Sequence, residues 1–297
     1  MKLLHVLLRW LAFLPLLLAQ ACGEAPPAPP PDGGPALWRV QGHGIDGWLL
    51  GTIHVLPSDV EWRTDKIDRA IQASDRLVLE TADIQDPART TATFEKMGRS
   101  PGLPPLAARV PAADRAALDS IARDGNASAQ LLSRYESWAA AMLLSAAAQK
   151  QQLDISSNTG VESALIAVFR EEERPISGLE TAARQFTAFD TLPESAQRQL
   201  LVRTVRDAKS MRALYDHILK AWLRGDIAAI AQADAAGEPL DPLVRRSIFG
   251  ERNRQWAAEI DKLKGRPFIA VGTGHLTGPD NMVQLLEARG YTVTRAQ

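Results

Sequence analysis

Two corners of the chain carry the same four-residue pattern. Gly51-Thr52-Ile53-His54 near the start and Gly272-Thr273-Gly274-His275 near the end both read Gly-Thr-x-His. Each closes a short apolar run and leads towards a helix, and Asp59 and Asp280 lie five residues beyond their respective histidines. Only five histidines occur in the chain, and two of them share this setting. Glycine permits a sharp turn and a close approach of backbone to a ligand. A side chain just past a parallel strand stands at the carboxyl edge of the sheet, where open α/β folds place their ligand crevice. If the two strands are parallel and adjacent, His54 and His275 face one crevice.

The pattern around these corners predicts a β-rich start, a helical middle and a β-rich end. Leu37–Gln41 and Gly47–Ile53 read as a hairpin with a longer loop over residues 42–46. A helix over Thr64–Ala73 and the strand Arg76–Glu80 complete a βαβ unit. From Asp86 to Asn158 the pattern is helical and rich in Ala and Leu, with Tyr135–Lys150 apolar enough for a buried helix. Gly160–Arg170 is another helix, Pro175–Leu179 a short strand, and Thr181–Lys262 a set of helices. Arg266–Val271, a helix over Pro279–Arg289 stopped by Gly290, and Tyr291–Arg295 form a second βαβ unit. The expected class is α+β: a mixed, partly parallel sheet with βαβ units at both ends and a large helical insert.

The first 36 residues stand outside that body. Lys2 and Arg9 precede the apolar run Trp10–Leu18, which is too short for a membrane span of ~20 residues and fits a secretory signal over residues 1–21. Ala19-Gln20-Ala21 is a small-x-small cleavage site followed at once by Cys22. This resembles the bacterial lipoprotein signal, in which the cysteine is lipidated. Residues 22–36 then read as a lipid-attachment cysteine and a proline-rich spacer, since proline can neither continue a helix nor donate to a ladder. The folded domain is expected over residues 37–297. The expected location is the bacterial cell envelope, as a lipoprotein facing the periplasm or, with plain cleavage, as a soluble periplasmic protein.

Composition narrows the chemistry. Lys and Arg number 34 against 35 Asp and Glu, so a basic surface for nucleic acid is disfavoured. A single cysteine precludes both a disulfide framework and a Cys-rich metal site. No P-loop or HExxH motif occurs, and the GxSxG and GxGxxG spellings at 98–102 and 42–47 fall in the helical stretch and in the hairpin loop, not at the strand-to-helix turn that a nucleophile elbow or a phosphate fingerprint requires. What the two corners offer is imidazole beside carboxylate. Glu80 ends RLVLE and Glu180 follows PISGL, so both belong to the same expected sheet edge. Such a set suits a divalent ion of the Zn, Mn, Fe or Co type, which can activate water and polarise a carbonyl. Glu162 lies on the apolar helix after Gly160, and Arg252, in GERNRQW, could clamp a carboxylate.

These residues resemble the TraB/GumN family, which is related to the Tiki metalloproteases. The likeness runs through LWRV at 37–40, GTIH at 51–54, LVLE at 77–80, ISGLE at 176–180, AWLRGD at 221–226, Arg252-Asn253 and VGTGHLTGPDN at 271–281. It implies a Tiki-like α+β fold and a divalent-metal-dependent hydrolase, Tiki proteins being peptidases that use Mn or Co. His54 and His275 match the paired histidines and Glu80 the strand glutamate. Glu180 and Arg252 match further family positions, and Glu162 stands in GVE where relatives often have GVD. The resulting expectation is a peptide or amide hydrolase in which His54, Glu80 and His275 bind Mn, Co or Zn. Glu180, or else Glu162, would complete the sphere or act as general base, and Arg252 would orient the substrate. A peptide-binding or ligand-binding envelope protein without catalysis, and a purely structural envelope protein, are the alternatives.

Overall fold

The computed structural model describes residues 33–57, 59–153, 160–235 and 240–297. The expected signal, Cys22 and most of the proline-rich spacer lie outside the described residues. The body starts slightly earlier than the sequence suggests: Ala36 is fully buried, and its carbonyl accepts from Gly51 N at 3.1 Å.

Six strands form one mixed sheet: β1 (Leu37–Gly42), β2 (Ile45–Thr52), β3 (Arg76–Thr81), β4 (Ile176–Glu180), β5 (Pro267–Gly272) and β6 (Thr292–Arg295), in the order β4-β3-β5-β2-β1-β6. The four strands β4, β3, β5 and β2 are mutually parallel, and β1 runs antiparallel to both β2 and β6. β2 and β5 are direct neighbours, with Thr52 opposite Gly272, so the two Gly-Thr-x-His corners leave the sheet side by side. Both βαβ units are present with other strands between their ends: β5 separates β2 from β3, and β2 and β1 separate β5 from β6. Pattern within one strand says which residues face a core, not which strand lies alongside.

Two local expectations need correcting. The β1–β2 connection is tight: Gly42 pairs with Ile45, leaving only His43 and Gly44, both at positive φ (51° and 92°), as a two-residue hairpin of this twist requires. Pro279 does not open the last helix. Asn281 caps it by accepting from Gln284 N, and helix begins at Met282.

Helices cover both sheet faces. Counting those that build the separate helical half, the helices of seven or more residues are α1 (Asp65–Ala73), α2 (Pro87–Met97), α3 (Arg115–Asp124), α4 (Ser137–Leu153), α5 (Val161–Glu171), α6 (Ala182–Asp190), α7 (Glu194–Asp207), α8 (Met211–Trp222), α9 (Ile227–Ala235), α10 (Arg252–Ile260) and α11 (Met282–Ala288). Strand alternation divides the core. Leu50, Leu77, Leu79, Phe268 and Ala270 pack with α1, α5 and α8, whereas Leu49, Val78, Ile269 and Val271 pack with α10 and α11. β5 is buried at every position, the continuous apolar run of a parallel strand covered on both faces. A third cluster, built round α4, fills the helical half; α4 is buried almost all round, including Trp138 and the alanines 139–141.

Two contacts fix the first corner. The Trp222 indole N–H donates to the Gly51 carbonyl at 2.8 Å, and Val161 N donates to the Ile53 carbonyl at 3.2 Å. Gly160, the residue before α5, lies so close to His54 that a Cβ there would run into the His54 carbonyl. Its φ of −72° is open to any residue, so space and not backbone strain demands glycine. Gly160→Ala should therefore lower stability by about 1–3 kcal/mol, the range for forcing a methyl into a packed site. Urea unfolding of the variant checks this, and wild-type stability would contradict it.

Candidate functional site

The carboxyl ends of β2, β3, β4 and β5 deliver His54, Glu80, Glu180 and the 272–275 corner to one edge of the sheet. Register puts Glu80 on the α10 face, since it follows Val78 by two and the side-chain period is two. From the other side comes α10. The segment Arg246–Glu251 before it is wound as a π-helix, a form that recurs at functional sites. Arg252, at the first position of α10, is 2% exposed.

Arg252 occupies the centre. Its Nε donates to Glu180 Oε1 at 2.9 Å, its Nη2 reaches Glu180 Oε1 at 2.5 Å and Glu80 Oε2 at 3.1 Å, and its Nη1 donates to the Ile248 carbonyl at 3.1 Å. Nη1 also lies 3.3 Å from His275 Nε2, and the guanidinium packs over the Trp256 ring at 4.6 Å. Burial works against a charged guanidinium, but Glu180 and Glu80 outweigh it and hold Arg252 above its ordinary pKa. For Glu180 burial is the larger influence and lifts its carboxyl above the usual range despite Arg252. Glu80 turns its other oxygen towards the corner: Oε1 accepts from Gly272 N at 2.7 Å and stands 3.8 Å from His275 Nε2.

The two histidines are held in opposite states. His54 Nδ1 is 2.8 Å from Glu162 Oε1, and that same oxygen accepts from the Thr52 hydroxyl. Burial alone would lower the His54 pKa; the Glu162 carboxylate, with Glu80 beyond it, lifts it instead to about 9. Its Nε2 faces the space beside Gly272, where a Cβ would lie 3.4 Å from it and 3.0 Å from Glu80 Oε1. His275 is completely buried, between Trp256 (ring centroids 4.2 Å apart) and Phe249 (5.0 Å). Burial, the Arg252 charge and the His54 charge push its pKa well below 6.5, so it is neutral.

Asn253 decides which nitrogen of that neutral ring carries the proton. Its Nδ2 donates to the carbonyls of Asp280 at 2.8 Å and His275 at 3.4 Å, so its Oδ1 must be the atom 2.5 Å from His275 Nδ1. Nδ1 then bears the hydrogen, and Nε2 presents a lone pair to Arg252 Nη1.

All six side chains nominated from the sequence, His54, Glu80, Glu162, Glu180, Arg252 and His275, meet at this edge. Glu162 takes a different place from the one expected, on the far nitrogen of His54, away from Glu80 and Glu180. The matching aspartates do not join. Asp59 is exposed, and Asp280 pairs at the surface with Arg254 at 2.6 Å, contributing only its carbonyl through Asn253. Sequence reasoning gave no role to Thr52, Thr273 or Asn253. The threonines did leave a signal, since both corners share them: Thr273 donates to the Thr52 carbonyl at 2.9 Å and ties one corner to the other. Asn253, beside Arg252, left none of its own.

The donor chemistry fits a borderline divalent ion: His275 Nε2 is unprotonated, His54 Nε2 and Glu80 Oε1 border the same space, and each imidazole is oriented through its other nitrogen, as metal-bound histidines are. The spacing is that of a site arranged round a guanidinium. Among the described residues no three His, Cys, Asp or Glu side chains stand at metal-holding distances.

Two predictions test these states. The His54 pKa of about 9 exceeds its unfolded value near 6.5, so the stability it adds is complete below pH 6.5 and is lost as pH rises through 9. Stability should fall by about 3 kcal/mol between those limits, at ~1.4 kcal/mol per unit. In Glu162→Gln the fall should vanish, because burial then keeps His54 neutral; urea unfolding across pH measures both, and a flat wild-type profile would refute the ion pair. Second, the 15N ring shifts of His275 should report an Nδ1–H tautomer that is lost or mixed in Asn253→Ala. An Nε2–H signal in the wild type would refute the assignment.

Two relatives, the uncharacterized protein YbaP of Escherichia coli K12 and that of Shigella flexneri, are each 25% identical over 243 residues, covering 80% of this chain and 86% of theirs. No solved structure matches. The sequence profile of the TraB/PrgY/gumN family matches residues 36–295, the whole of the sheet and its helices. The chain therefore belongs to the TraB/PrgY/gumN family.

Proposed function

We propose that this protein is an exported, lipid-anchored, divalent-metal-dependent hydrolase of peptide or amide bonds in the cell envelope. The observation that carries the reading is the approach of His54 Nε2 and Glu80 Oε1 to the same space beside Gly272, with His275 Nε2 3.8 Å from Glu80 Oε1 and with Glu162 and Asn253 each fixing the far side of an imidazole. Export and anchoring rest on the Lys2–Cys22 signal and the prolines after it. A bound Mn, Co or Zn ion would supply Lewis acidity and an activated water.

The chain's own residues would do the rest. His54, Glu80 and His275 would hold the ion. Glu162 acts on His54 as a positioning carboxylate, keeping Nε2 turned inward. Because Glu162 also keeps His54 protonated at neutral pH, that ring would have to give up its Nε2 proton before it could hold an ion. Arg252 Nη1 must likewise leave His275 Nε2, and the freed guanidinium edge is then available to a substrate carbonyl or carboxylate. Glu180, whose carboxyl is lifted by burial, would be the group that takes up or gives a proton. A second reading is favoured by the internally paired Arg252–Glu80–Glu180 cluster: a crevice that binds a peptide or small ligand without cleaving it.

Purified protein stripped of metal and then given Mn or Co should hydrolyse members of a peptide library. His54→Ala and His275→Ala should each lose at least about 100-fold in kcat/KM, beyond the ~10–100-fold cost of disturbing an outer partner. Metal uptake without turnover would favour the binding reading, and equal uptake by both variants would overturn the proposed ligand set.

A further inference from the structure

The backbone that carries His54 leaves the sheet after Thr52, where β2 ends. Ile53, Val55 and Leu56 are nonetheless buried. A buried carbonyl outside a ladder needs a donor from elsewhere, because leaving it unmade costs more than a typical bond returns. This segment draws its donors from distant parts of the chain. Gly51 accepts from the Trp222 indole at 2.8 Å, Thr52 from the Thr273 hydroxyl at 2.9 Å, Ile53 from Val161 N at 3.2 Å and Val55 from the Tyr215 hydroxyl at 2.9 Å.

Two of these donors belong to one helix. Tyr215 and Trp222 are seven residues apart on α8, which is two turns and about 10.5 Å along a single face. Gly51 and Val55 are four residues apart on a chain that covers about 13 Å when extended. The helix therefore matches the corner in length and is fastened to it on both sides of His54. Its two ends serve different cores. Trp222 is fully buried with Leu50, Ile53 and Leu56 in the core on one sheet face, whereas Val55 turns its side chain into the cluster of the helical half. Tyr215 thus holds the one residue of this segment that faces away from the sheet core. With the backbone fixed before and after His54, the direction of its side chain is set, and the Glu162 contact settles the rotation of the ring.

We propose that Tyr215 and Trp222 are positioning residues for His54: by holding the Val55 and Gly51 carbonyls they keep the imidazole beside Gly272, where a Cβ would lie 3.4 Å from Nε2. They act through the backbone. The consequence for metal binding rests on the ligand role proposed above for His54; the placement of the ring does not.

Tyr215→Phe removes one hydroxyl and keeps the ring. In NMR spectra of the metal-free protein labelled with 15N-histidine, it should displace the His54 ring signals and leave those of His275 in place. Titration with Co should show an affinity about 10-fold below wild type, the lower end of the cost of disturbing a supporting partner of a metal site. Tyr135→Phe is the control. It removes a hydroxyl bonded to Glu95 and Arg99 in the helical half and should change neither quantity. Trp222→Phe, which removes the donor at the other end, should displace the His54 signals as well and carries the test if Tyr215→Phe does not fold. Unchanged His54 signals, equal displacement of both histidines, the same displacement in Tyr135→Phe, or unchanged Co affinity where the wild type takes up the ion overturns the proposal. Displaced His54 signals in a protein whose wild type takes up no Co support the positioning role and remove the ligand role alone.

Discussion

A guanidinium buried between two carboxylates organises the sheet edge. Glu80 and Glu180 end neighbouring parallel strands, and both are nearly inaccessible. Two like charges so placed would repel and would lack hydration, so a cation must enter with them. Arg252 meets the requirement with three N–H groups at 2.5–3.1 Å and thereby docks α10 on the end of the sheet. Removing one member of such a cluster strands the others and typically costs ~3–5 kcal/mol. The same helix carries Asn253 and Trp256, so docking one charge also brings in the amide that orients His275 and the indole that packs against it.

The two Gly-Thr-x-His corners show how one motif acquires two chemistries from its surroundings. His54 meets a carboxylate on its outer nitrogen and is held as imidazolium; His275 meets a neutral amide there, with a guanidinium on the other side, and is held neutral. Neither state is encoded in the four residues themselves. Pairs of titratable groups pushed apart in this way are a recurring arrangement where acid and base roles must be divided at one pH.

Much of the plan was legible beforehand. The short apolar runs Trp48–Leu50 and Phe268–Val271, with glycine and histidine just beyond, announced buried strands ending in matching corners, and the adjacency of β2 and β5 brings those corners side by side. Glu80 was legible because an acidic residue ended an otherwise apolar strand. Glu162 was harder: on its helix it could equally have faced solvent, and only the close approach permitted by Gly160 turns it onto His54. The aspartates at 59 and 280 show the opposite error, a shared spacing without a shared environment. Asp280 sits at positive φ on the surface, where it pairs with Arg254.

The sequence by itself determined the elements and the edge: short apolar runs mark strands, glycine marks where the backbone turns or comes close, and a polar residue closing an apolar strand marks the rim. Partners and protonation states were decided by the tertiary structure. Which carboxylate reaches which imidazole depends on contacts between residues more than a hundred positions apart, such as Thr52 with Glu162 and Glu80 with Arg252. Those contacts also remove water, and the charge on a buried histidine follows from whatever neighbour replaces it.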